Sequence, residues 1–80
     1  RPMDALANTL VKLQGTLISR RAYLAGILRK RLKNLKSHWL DQQVSEAMGR
    51  GVDIEQMIEL AKGVSSWDDW SEGLENLQPY

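Results

Sequence analysis

The sequence predicts an all-α fold, a compact bundle of four to five short helices, and three observations carry that expectation. Apolar residues recur at three- and four-residue steps through most of the chain, the signature of one buried helical face. No stretch of four or more residues between turn signals alternates apolar with polar, so no strand is expected. Helix start and stop residues punctuate the periodic segments at short intervals, which implies short connections and mostly antiparallel neighbours.

The first helix is expected over about residues 3 to 14, where Met3, Leu6, Leu10 and Leu13 share a face and Gly15 stands at the C-terminal capping position. Ser19 is placed to cap a second helix whose stripe is Leu24, Leu28, Leu32, Leu35 and Trp39, widened by Tyr23, Ile27 and Leu40. The periodicity continues through Val44, Ala47 and Met48 to a break at Gly49-Arg50-Gly51, and leaves open whether a turn near Ser37 divides it into two helices. Asp53 followed by Gln56 forms a capping box, and Val52 with Met57 a hydrophobic staple, so a helix is predicted from about 53 to 62, ending at Gly63. Ser66 caps the last segment, in which Trp67, Trp70, Leu74 and Leu77 lie on one side. Asp68 and Asp69 sit at the positive end of that helix's dipole, and Pro79 closes it.

Eighty residues make a single helical domain. At this size a core only narrowly offsets the chain entropy of about 1.5 kcal/mol per ordered residue. With no cysteine there is neither a disulfide framework nor a thiolate metal site, so packing alone must hold the fold. The 42% apolar and 26% charged content places the chain among folded proteins and away from disordered ones. No uncharged apolar run approaches the ~18 residues of a membrane span, and no secretory h-region with a cleavage site is visible. The chain opens with Arg1 and Pro2, which reads as a processed product or a domain of a larger protein.

A net charge of +1 hides a division. Residues 1 to 40 hold nine Lys and Arg against the single acid Asp4, whereas residues 41 to 80 hold two against nine Asp and Glu. The stretch from Arg20 to Lys36 has seven cations and no acid. Arg29, Lys30, Lys33 and Lys36 fall together opposite the leucine stripe. Like-charge pairs at these spacings cost only about 0.2–0.5 kcal/mol each, which an acidic neighbouring helix would relieve, so mutual neutralisation of the two halves is the expected arrangement. Were those four cations to stand uncovered, a polyanion-binding surface would become the leading reading.

Catalysis finds little support. His38 is the only histidine. It lies beside Ser37 and three residues before Asp41, but neighbours on a helix point about 100° apart, so these residues do not form a triad. One histidine with the oxygens of Asp41 and Gln42 fits no zinc pattern, and Asp68, Asp69, Glu72 and Glu75 lack the alternation of a calcium loop. No glycine-rich phosphate loop is present. The protein is therefore expected not to be an enzyme, and no metal, cofactor or small-molecule substrate is inferred.

Residues 43 to 62 imitate a helix-turn-helix, but the second helix carries Asp53, Glu55 and Glu59 against Lys62 alone, and phosphate would repel it. The basic stretch is the better phosphate binder. Tyr23 and Trp39 turn away from it, so stacking on bases is not expected. It could also lie on an anionic membrane, but only by withdrawing the leucine stripe from the core. Three tryptophans are more than a core this small readily encloses, so at least one is expected to be partly exposed.

The segment GRGVDIEQMIELAKGVSSWDDWSEGLENL, residues 49–77, loosely resembles a helical segment preceding the catalytic domain of some bacterial α/β-hydrolases. The Gly-x-Ser-x-Gly elbow of that chemistry is absent from the chain, so no activity is carried over. The sequence thus leads to a non-enzymatic module that docks onto a protein partner. Trp67, Trp70 and Leu74 are its expected apolar anchors, and Arg29, Lys30, Lys33 and Lys36 its steering charges. The alternative is a polyanion binder that uses residues 20 to 36 on nucleic acid or an anionic membrane surface.

Overall fold

The computed structural model describes the backbone of residues 2–80 and the side chains of residues 15–80. It contains four helices, α1 (Pro2–Arg31), α2 (Ser37–Gly49), α3 (Ile54–Ala61) and α4 (Trp67–Asn76), and the described residues include no strand. The fold is the all-α bundle expected, with its helices divided differently at the N-terminal end. Gly15 does not end a helix, and Ser19 caps none, because α1 runs unbroken through both. A glycine inside a helix costs only about 1 kcal/mol relative to alanine, and the good helix formers around Gly15 carry the chain across it. The stripe Met3, Leu6, Leu10 and Leu13 lies outside the described side chains.

The actual stop is Asn34. Its φ of 58° is left-handed, a conformation that asparagine tolerates better than most residues, and it turns the chain out of α1 toward the start of α2. That turn divides the continuous periodicity of residues 19 to 48, with Lys36 in extended conformation at the N-cap of α2. Trp39 therefore belongs to a different helix from Leu24, Leu28 and Leu32. It is 53% exposed, whereas those three leucines are buried.

The core forms where α1 meets α3. Leu24, Leu28 and Leu32, spaced four apart, pack with Ile54, Met57, Ile58 and Ala61, while α2 adds Leu40, Val44 and Ala47 and α4 adds Trp70 and Leu74. Trp70 is fully buried, and its indole Nε1 donates to Gln43 Oε1 at 3.0 Å. The amide of Gln43 in turn donates to Ser71 Oγ at 3.0 Å, so the largest ring in the core leaves no polar atom orphaned. Among the described residues, no buried side-chain nitrogen or oxygen lacks a partner.

The last two helices start as the sequence predicts. In the Asp53 capping box the Asp53 N–H donates to Gln56 Oε1 at 2.9 Å, and the staple residues Val52 and Met57 are both buried. Ser66 Oγ accepts from the Asp69 N–H at 3.1 Å at the head of α4. Arg50 fastens the other end of α4, donating to the carbonyls of Leu74 at 3.1 Å and Leu77 at 3.3 Å, where a cation also favours the helix dipole. Gly51, at φ 95°, supplies the left-handed turn before α3, and a Cβ there would stand 3.3 Å from Pro79 Cγ.

Candidate functional site

The charge division can be followed cation by cation. Arg20 holds Glu55 through two parallel bonds, Nε to Oε1 at 2.6 Å and Nη2 to Oε2 at 2.9 Å. Its guanidinium also lies 4.8 Å from the centre of the Tyr23 ring. The hydrogen bond from Arg20 pulls the Glu55 carboxyl below its ordinary pKa and raises that of Arg20. Arg21 reaches Ser45 Oγ at 3.4 Å, and Arg31 Nε donates to the Val64 carbonyl at 2.9 Å, tying the end of α1 to the loop before α4. Lys62 pairs with Glu59 on its own helix at 2.9 Å, and that hydrogen bond raises its pKa.

Among the described side chains, the four remaining cations are Arg29, Lys30, Lys33 and Lys36. All are exposed, and none forms an ion pair or hydrogen bond with another described side chain. The expected neutralisation by the acidic half is not found at these residues, because α3 packs its apolar face on α1 and directs only Glu55 to an α1 cation, Arg20, well before the basic cluster. The C-terminal dipole of α1 stabilises Arg29 and Lys30 in its last turn by about 0.3–1 kcal/mol each. Lys33 and Lys36 lie past that turn.

Lys33 and Lys36 share a groove of about 250 Å³ with Asn34, Trp39 and Trp67. The turn at Asn34 sets this groove by placing Trp39 in α2, where it stands beside both Lys33 and Lys36. Trp39 also borders a second groove lined by Gln43, Glu46, Arg50, Ser71 and Glu75 among others, so its ring is reached from a basic side and from one of mixed charge. The sequence carried one signal for this arrangement, Asn34 itself.

Of the expected apolar anchors, Trp67 is half-buried and lines the first groove. Trp70 and Leu74 are 0% and 4% exposed and belong to the core, so they offer no surface to a partner. They face inward because α4 is only ten residues long and must give its most apolar side to α2 and α3. His38 is exposed and is not bonded to Ser37 or Asp41, and no three His, Asp or Glu side chains converge among the described residues. No described helix is long and apolar enough to cross a membrane. No protein-family model matches the chain, and no curated protein or solved structure matches it, so the resemblance of residues 49–77 to the hydrolase segment gains no support.

Proposed function

We propose that this chain is a non-enzymatic helical module that binds a polyanion through Arg29, Lys30, Lys33 and Lys36. The observation that carries the reading is that these four cations are exposed and unpaired, while every other described Lys or Arg has a partner within the fold. A surface of unpaired cations attracts a chain of phosphates and releases its condensed counterions. Insertion of the same helix into a membrane is disfavoured, since Leu24, Leu28 and Leu32 would have to leave the core.

The test is binding to inorganic polyphosphate and to a single-stranded oligonucleotide across a salt series. With four phosphates neutralised on a single strand, log K should fall against log salt with a slope of about −2.8, roughly 50-fold between 50 and 200 mM. Replacing Lys30, Lys33 and Lys36 with Gln should weaken binding and flatten that slope. Weak binding that the triple replacement leaves unchanged would overturn the proposal. A second reading, docking to a protein partner, is favoured by the exposure of Trp39 at 53% and Tyr23 at 48%. In that case Trp39→Ala should cost affinity for the partner with little salt dependence.

A further inference from the structure

We infer that the groove at the turn between α1 and α2 is a single-strand nucleic-acid site, in which Trp39 and Trp67 stack on unpaired bases while Lys33 and Lys36 neutralise the adjoining phosphates. The inference rests on the polyanion reading and names its ligand class. Sequence-tolerant single-strand recognition combines cations that follow the backbone with aromatic rings that receive bases. The groove holds both kinds of group among five lining residues, Lys33, Asn34, Lys36, Trp39 and Trp67.

Three features point to this ligand among polyanions. The groove's volume of about 250 Å³ lies below the ~300–1,000 Å³ typical of sites that enclose a whole small molecule, and suits a planar ring admitted from an open side. Its cations are lysines, point charges that can meet phosphates in varied orientations, as sequence-tolerant binding requires. The two sides of Trp39 differ in charge, with Lys33 and Lys36 bordering one groove, and Glu46, Glu75 and an Arg50 already bonded to the Leu74 and Leu77 carbonyls bordering the other. That difference gives the phosphate chain one side on which to run, and Arg29 and Lys30, in the last turn of α1, extend the basic surface. Asp68, next to Trp67, is the nearest acid in sequence and limits the path on the α4 side. A duplex, whose bases are already stacked and paired, offers nothing for the tryptophans to receive.

The experiment compares an oligothymidylate of about ten nucleotides with an abasic strand of equal length and with a duplex, following tryptophan fluorescence and anisotropy. Trp70, enclosed and bonded to Gln43, supplies a constant background, so quenching reports Trp39 and Trp67. The thymidylate strand should bind roughly 10- to 100-fold more tightly than the abasic strand and should quench the emission. Trp39→Leu should remove most of that advantage and leave abasic binding intact. Since Trp39 is half-exposed, the variant should keep its helical circular dichroism, and Trp67→Leu provides an independent check. Equal affinity for thymidylate and abasic strands, with no quenching, would overturn the inference and leave polyanion binding standing. Preference for the duplex, or for an acidic peptide of equal charge, would overturn it as well, and failure of every anion to bind would remove both readings.

Discussion

The helix pair α3–α4 and the turn between α1 and α2 are built to different standards, although both join short elements of one small chain. At the first, each helix start is capped by a side chain, the last carbonyls of α4 are held by Arg50, and the largest ring, Trp70, has its one polar atom bonded to Gln43. At the second, α2 begins at Lys36 with no side-chain cap, a left-handed Asn34 makes the bend, and four cations and Trp39 are left to solvent. The fold satisfies one region from within and leaves the polar groups of the other to solvent. A domain of this size has few interactions to spare, so where it leaves charges and rings unused is informative about binding.

Breaking the first region should have the largest effect. Trp70→Ala empties the centre of the core and strands Gln43, a change worth about 3–5 kcal/mol, which is a large share of the ~5–15 kcal/mol that holds a typical domain. Urea denaturation should find this variant largely unfolded or with its midpoint near zero, whereas Trp39→Ala should lower the unfolding free energy by less than about 0.5 kcal/mol. Comparable losses from the two would erase the contrast.

A smaller effect tests how closely α3 and α4 approach. A Cβ on Gly73 would meet Leu60 Cδ1 at 2.6 Å, so Gly73→Ala must displace the end of that leucine side chain. Overpacking of about 1–3 kcal/mol, less the ~1 kcal/mol that alanine gains in a helix, leaves a net loss of about 1 kcal/mol. In a Leu60→Ala background the obstruction is gone, and the same Gly73→Ala change should become stabilising. A double-mutant cycle that came out additive would show that the two side chains do not meet.

Caps sharpen the comparison from both ends. Ser66→Ala removes the oxygen that accepts the Asp69 N–H and should cost about 1 kcal/mol. Lys36→Asp gives α2 the cap it lacks, since the backbone at residue 36 is already extended, and should gain about 1 kcal/mol in thermal or chemical denaturation. The same change should weaken polyanion binding, because it replaces a groove cation with an acid. A variant both more stable and weaker in binding would identify residue 36 as a position where stability is surrendered for function.

How far the sequence could be read follows the same division. Asp53, Gln56, Ser66 and the Val52–Met57 staple are local signals whose partners lie within five residues, and the structure contains each as expected. Gly15 misled because glycine marks a helix end only when the chain needs a left-handed residue there, and nothing in the neighbouring sequence states that need. Asn34 is hard to read for the converse reason: the apolar period of three and four runs on through a residue whose backbone breaks it. That period leaves a turn near Ser37 open without placing it at Asn34, and it sets Trp39 on the leucine stripe, which conceals the groove. Trp70 and Leu74 read as anchors because periodicity shows that a helix has an apolar side without showing which neighbour covers it.

The smallest effect concerns the one ion pair that joins the basic and acidic halves among the described residues. Glu55 accepts two bonds from Arg20, and the Arg20 hydrogen bond holds its carboxyl below the ordinary value of 4.5 in the folded protein. A carboxyl with a depressed folded pKa contributes stability that is present above its unfolded pKa and is lost as pH falls through the folded one. Acidification from neutral pH should therefore cost the wild-type protein more than Glu55→Gln, with the two curves separating only below about pH 4.5. The side chains are 36% and 50% exposed, so added salt should narrow the gap. Parallel curves would mean that the Arg20–Glu55 pair contributes nothing to the joining of α1 and α3, and that leucine packing alone holds the basic helix on the acidic one.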